Sequence, residues 1–191
     1  YLTTDPVREH WRERWLFEPN GDVFTHKFYM RAAGLAAASA LTDDPVDAAR
    51  WSLEAREISE EGMAQQWDDG VNPERGGFDV RYQMYGTWLG IVYRSMLDTG
   101  DHRDELTDTI NDAIAWIEPK LDPDTGQIDF EGSTRSCRPN SKVNEYHPYH
   151  MLSVYLLWAQ VEPGNDHLYD LALHADAGHT FPGNACPQPA D

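Results

Sequence analysis

The sequence predicts an all-α fold, an (α/α) toroid-like array of helical hairpins that forms an incomplete ring. Three observations predict it. Glycine and proline punctuation cuts the 191 residues into long stretches of helical periodicity, joined by connections that alternate between short and long. One stop signal recurs three times, as Leu41-Thr42-Asp43-Asp44-Pro45, Leu97-Asp98-Thr99-Gly100-Asp101 and Val161-Glu162-Pro163-Gly164-Asn165, so a hairpin repeats after 56 and then 64 residues. The helices on the two sides of each signal also differ in kind.

After a leading helix near 6–17, helices are predicted at about 23–41, 46–66, 79–97, 102–118, 145–161 and 165–177. The stretch 82–97 carries Tyr82, Met84, Tyr85, Trp88, Leu89, Ile91, Val92, Tyr93, Met96 and Leu97 all round its circumference, and 149–161 is similar. Such helices need protein on every side. Their partners are one-sided: Leu106, Ile110, Ala113, Ile114 and Ile117 share a stripe opposite Asp104, Asp108 and Asp112, as Leu168, Leu171, Ala172 and Ala175 do opposite Asp166 and Asp170. Enclosed helices alternating with amphipathic ones make two concentric layers, the inner helix first in each pair. The acidic run from Glu54 to Glu61 is then the solvated face of an outer helix.

Composition narrows the function. With 33 acidic and 15 basic residues the formal charge is −18, which argues against binding a phosphate backbone, a task that needs clustered Lys and Arg. Hydrophobic residues make up 40% and aromatic ones 12%, enough for a core and for one domain spanning 1–191. No apolar run reaches the roughly 18 to 20 residues that cross a bilayer; the longest, Met151 to Val161, is short. Lysine is nearly absent, at 3 of the 15 basic residues, a pattern suited to a salt-loving microbe. At 1 M salt the Debye length is roughly 3 Å, so self-repulsion is screened while hydrated carboxylates keep the surface wet. Cys137 and Cys186 either close a loop of about 50 residues or remain free thiols; a disulfide favours a secreted or extracytoplasmic location. A start at Tyr1 without a signal-like segment predicts a processed product or a fragment.

The long connections, Gln66 to Phe78 and Pro119 to Asn144, both lead from an outer to an inner helix, so they gather where inner helices begin. Exposed N–H groups and a partial positive charge at helix starts suit an anionic ligand, and loops there carry function. Counting back 15 residues from Leu41, Leu97 and Val161 gives His26, Tyr82 and Tyr146, one titratable side chain at the head of each inner helix. Arg81, Asn144, Glu145, His147 and His150 lie alongside, with Asp69, Glu74, Arg75, Asp79 and Arg135 from the loops.

A histidine and a tyrosine from neighbouring hairpins suit β-elimination on an acidic sugar. The uronate carboxylate must be neutralised, the proton on the adjacent carbon removed and the departing glycosidic oxygen protonated. Tyrosine can give or take a proton, histidine can act as base or polarise the carboxylate, and arginine grips a carboxylate through a bidentate fork. The expectation is a polysaccharide lyase cleaving a uronate-containing glycan, with no metal and no cofactor. Its catalytic residues are His26 and Tyr82, and its substrate-binding residues Arg81, Arg135, Asn144, Tyr146, His147 and Glu74. The alternatives are a toroidal glycoside hydrolase using two carboxylates such as Asp69 and Asp79, or a non-catalytic carbohydrate-binding helical domain. His147 and His150 with Glu145 lack a fourth metal ligand at a recognisable spacing. The run Asp122 to Asp129 is a residue short of a calcium loop and predicts a turn, with Gly126 left-handed, capping a short hairpin.

The pieces Thr25-His26-Lys27, Ala32-Ala33-Gly34-Leu35-Ala36-Ala37-Ala38, Asp69-Gly70-Val71-Asn72-Pro73-Glu74-Arg75-Gly76-Gly77-Phe78-Asp79 and Tyr82, in that order and at those spacings, resemble the toroid of heparinase-type and alginate-lyase-type polysaccharide lyases. The run from Trp116 to Arg135, with Gly132-Ser133-Thr134-Arg135, is also similar; the likeness covers about residues 21–160. The resemblance implies that His26 and Tyr82 begin successive inner helices as the catalytic pair. That family commonly has Asn before the histidine as carboxylate neutraliser. Here Thr25 stands there, which leaves Arg81, Arg135 or Asn144 for the task. It also implies a longer toroid and a following β-sandwich domain, so three hairpins are expected to be a piece of a larger enzyme or a reduced relative.

Overall fold

The computed structural model describes residues 15–17, 20–122, 124, 128–135 and 149–177, the last span with side chains from 152 to 173. The described chain is all-α. Its helices are α1 (Thr25–Leu41), α2 (Pro45–Met63), α3 (Val80–Arg94), α4 (Asp101–Ile117), α5 (Tyr149–Val161) and α6 (Asp166–Ala177), with a 3₁₀ turn at Glu118–Lys120 after α4. Strand-like pairing among the described residues is confined to isolated bridges, including Leu121 with Ile128 in the run where a turn is predicted; Gly126, expected at that turn, lies outside the described residues.

Local chemistry sets each boundary. Asp44 caps α2 by accepting from the Val46 N–H at 2.8 Å, with Pro45 at the first helical position, where a missing N–H costs nothing. Asp79 caps α3 through the Tyr82 N–H at 3.2 Å. α3 ends at Arg94, three residues earlier than periodicity suggests. Met96 and Leu97 donate to Tyr93 and Arg94, bonds three residues back that tighten the last turn. α2 stops at Met63 rather than near 66, because Trp67 donates to Val71 and Gly70 to Trp67, turning the chain away. Gly70 is required there. Its φ is +88°, and a Cβ would lie 2.3 Å from the Asp112 carbonyl oxygen.

Consecutive helices pack as hairpins, α1 on α2, α3 on α4 and α5 on α6, while the first helix of each hairpin packs on the next, α1 on α3 and α3 on α5. α3 is therefore flanked on several sides, and none of its residues is exposed. α4 shows the one-sided pattern predicted for it: Leu106, Ile110, Ala113, Ile114 and Ile117 are buried, and Asp104, Asp108 and Asp112 are exposed. α6 repeats this, with Leu168 and Ala172 inside and Asp166 and Asp170 outside. One apolar core runs through α1, α3, α4, α5 and α6, with Trp158, Tyr155, Tyr93 and Tyr29 as its largest buried rings. Among the described residues no helix is long and apolar enough to cross a membrane.

α1 and α3 touch closely at one point. A Cβ on Gly86 would lie 3.3 Å from the His26 Cα, so glycine there lets the start of α1 settle against α3. That approach positions the site.

Candidate functional site

The loop between α2 and α3 and the described part of the connection after α4 meet at the heads of α1 and α3 and are bonded to each other. The loop between α2 and α3 turns sharply at Arg75 (φ +55°) and Gly76 (φ +75°), which brings Gly77 back so that the Glu74 N–H donates to the Gly77 carbonyl at 2.7 Å. The loop then joins α1, as Thr25 donates through Oγ1 to the Pro73 carbonyl at 2.7 Å and the Arg75 N–H donates to Val23 at 3.0 Å. From the later connection, Thr134 Oγ1 donates to the Glu74 carbonyl at 2.9 Å, and the Arg135 N–H donates to Asp79 Oδ2 at 2.9 Å. These bonds anchor backbone, so the side chains at the junction have fixed origins.

Four of the residues expected at the site meet there. His26 is 7% exposed and its Nδ1 lies 2.8 Å from Glu74 Oε2. Glu74, 1% exposed, pairs through its other carboxylate oxygen with the Arg135 guanidinium. That guanidinium lies over the Tyr82 ring, with Cζ 3.8 Å from the ring centre, and the Tyr82 and His26 rings are 4.9 Å apart centre to centre. Four side chains from four separate segments thus close a circuit, His26 to Glu74 to Arg135 to Tyr82 and back to His26. Glu74, expected to bind substrate, is buried with its two carboxylate oxygens engaged by His26 and Arg135.

Other expected residues lie elsewhere or outside the description. Arg81, half-buried beside Tyr82, makes no ion pair among the described residues. Asn144, Tyr146 and His147 lie outside the described residues, as do Glu145, Cys137 and Cys186, and the side chain of His150 is not described. Asp69 and Asp79 sit in different surroundings. Asp79 is fully buried with both oxygens accepting backbone N–H bonds, from Tyr82 and Arg135, whereas Asp69 is exposed in a hollow of about 400 Å³ lined also by Asp68, Asp112 and Trp116. Among the described residues no cluster of three or more His, Cys, Asp or Glu is arranged to hold a metal ion.

Two neighbours of His26 escaped the sequence reading. Phe24 meets its ring edge-on at 6.2 Å, and Tyr85 lies 5.8 Å away, one helical turn beyond Tyr82 on α3. The three-residue spacing of Tyr82 and Tyr85 was the available signal for the second. No family model matches the chain, and no curated protein or solved structure is significantly similar to it.

Proposed function

We propose that the protein is a polysaccharide lyase that cleaves an acidic, uronate-containing glycan by β-elimination, its helices forming an arc of an (α/α) toroid. The observation that carries this reading is the 4.9 Å approach of the His26 and Tyr82 rings from successive hairpins, with the Arg135 guanidinium over the phenol. In the proposed reaction a base in this pair takes the proton from the carbon beside the uronate carboxylate. The electron pair left behind forms the new carbon–carbon double bond as the glycosidic bond breaks, and the leaving oxygen receives a proton from the pair. Half-buried Tyr82 has a hydroxyl with no hydrogen-bond partner among the described residues, which suits a group that exchanges a proton with substrate. Arg135 supplies positive charge at the carboxylate, with Arg81, Asn144, Tyr146 and His147 as further substrate contacts.

The chain's charge of −18 does not oppose a polyanionic ligand at this point, because contact arginines and helix starts act within a few ångströms, where salt screens least. Its scarcity of lysine supports a salt-tolerant enzyme, and a Cys137–Cys186 disulfide would suit a secreted one. The rival hydrolase is disfavoured by Asp79, whose carboxylate is committed to capping α3 and holding Arg135. Incubation with a panel of polyuronates, followed by ultraviolet absorbance of unsaturated uronate, tests the reading. A rise in absorbance that Tyr82→Phe abolishes is expected; new reducing ends without absorbance would identify a hydrolase, and tight binding without either would identify a binding domain.

A further inference from the structure

We infer that Glu74 is a positioning residue: it fixes which nitrogen of His26 carries the proton and, through the same carboxylate, holds Arg135 against Tyr82. The inference rests on the lyase reading for its kinetic consequence and on geometry for the rest. An ionised carboxylate only accepts hydrogen bonds, so the imidazole nitrogen 2.8 Å from Glu74 Oε2 must be the donor, and that nitrogen is Nδ1. Nε2 is left as the nitrogen presented to substrate, the same division of labour by which a hydrogen bond on one ring nitrogen defines the task of the other.

The second oxygen makes Glu74 more than a prop for one ring. A carboxylate 1% exposed is tolerated when it is paired, and Arg135 provides the pairing. Arg135 comes from a connection 61 residues further along the chain, so one buried group sets two active side chains, one delivered by the start of α1 and one by a loop. The Glu74 backbone is itself fixed from three directions, by Gly77, by Phe24 across an antiparallel bridge and by the Thr134 hydroxyl on its carbonyl. A residue meant to follow a moving ligand has no use for such anchoring. A residue that must hold two others to a fixed geometry requires it.

Glu74→Gln keeps the volume but offers one oxygen and one NH₂ where two acceptors are needed. Either His26 or Arg135 then faces a donor. The expected result is a fall of about 100-fold in kcat with little change in KM, a displaced pH profile, and an unfolding midpoint below that of the parent. Nitrogen-15 NMR of the histidines, with the His26 signals identified by their loss in His26→Asn, reads the geometry directly. In its neutral form, His26 is expected to carry its proton on Nδ1 in the parent and to show a mixture of tautomers in Glu74→Gln.

A parent His26 protonated on Nε2 with Nδ1 bare overturns the inference, as does a Glu74→Gln protein with unchanged kcat and pH profile. If the variant does not fold, the tautomer of the parent protein decides alone. If the parent forms no unsaturated uronate from any glycan, the lyase reading falls, and the NMR result still decides the place of Glu74.

Discussion

Helix α3 carries a tyrosine near each end, and each faces a buried histidine with a glutamate behind it. At the start are Tyr82, His26 and Glu74; at the end are Tyr93, His102 and Glu60. Both histidines are 7% exposed, yet the two clusters are wired differently. His26 gives Nδ1 to its glutamate at 2.8 Å and meets Tyr82 ring to ring, leaving the phenol hydroxyl without a hydrogen-bond partner among the described residues. His102 spends Nε2 on the Tyr93 hydroxyl at 3.3 Å, while its Nδ1 makes no hydrogen bond and stands 3.7 Å from Glu60, which is already bonded to Arg56. Tyr93 is 1% exposed, and burial pushes its pKa up to about 12. The same three residue types thus make a closed structural contact at one end of the helix and an open, partly exposed one at the other. What separates them is the source of the partners: helices α2 and α4 at the far end, the start of α1 and a long loop at the near end.

The sharpest way to break this comparison is to remove each phenol in turn. Tyr82→Phe is expected to lower lyase turnover about 1,000-fold, the scale of a lost proton-transfer group, with glycan affinity nearly unchanged. Tyr93→Phe is expected to leave turnover intact and to cost about 1 kcal/mol of stability, since it strips the His102 ring of its only hydrogen bond among the described residues. Steady-state kinetics and urea unfolding of both variants check the pair. Equal kinetic effects from the two substitutions would mean that the near end is no more reactive than the far one.

Much of the near end was legible in the sequence, for identifiable reasons. The hairpin repeat pointed to both His26 and Tyr82 because Gly and Pro stop signals can be read along the chain, and Asp79 also caps the helix that carries Tyr82. The pattern of Leu106, Ile110, Ala113 and Ile114 against Asp104, Asp108 and Asp112 likewise needs nothing beyond its own period. What stayed illegible was the sharing of one carboxylate. Glu74 and Arg135 are 61 residues apart in irregular chain, and whether Glu74 faces solvent or His26 depends on a turn through a left-handed Arg75 that no periodicity announces. For the same reason Asp79 looked like a candidate acid, when its caps on α3 and Arg135 commit it to structure.

A second contrast concerns arginines. Arg135 at the near end is partly exposed over Tyr82, whereas Arg94 near the far end of α3 is 4% exposed and ties three elements together. Its guanidinium donates to the Thr107 hydroxyl at 3.1 Å and the Val161 carbonyl at 3.0 Å, lies over the Trp158 ring, and pairs with Glu162. Glu162→Ala removes the carboxylate and leaves the buried cation with neutral acceptors only. The expected loss is about 3 kcal/mol, read as a lower urea midpoint, with turnover of the folded fraction unaffected. A loss below about 1 kcal/mol would class this pair with ordinary surface ion pairs.

The smallest expected effect is the pH dependence that the far cluster alone should show. Burial lowers the His102 pKa from its ordinary value of 6.5, and Arg56 opposes its protonation further, while Glu60 and Glu105 act the other way without overcoming burial. The unfolded chain therefore binds a proton on this residue at a higher pH than the native protein does. Stability from His102 is complete above 6.5 and is lost as pH falls through the lower, native value. Tyr93 has the mirror-image effect: with its pKa raised from 10.0 to about 12, its contribution is complete below 10.0 and is lost as pH climbs through about 12. Urea unfolding of the parent and of His102→Gln across the acid range isolates the first effect, because the remaining titrations cancel in the difference between the two curves. The parent's advantage should stay constant above 6.5 and shrink below it; a difference that does not change with pH would mean that His102 is as readily protonated in the folded protein as in the unfolded chain. The parent against Tyr93→Phe tests the alkaline window in the same way.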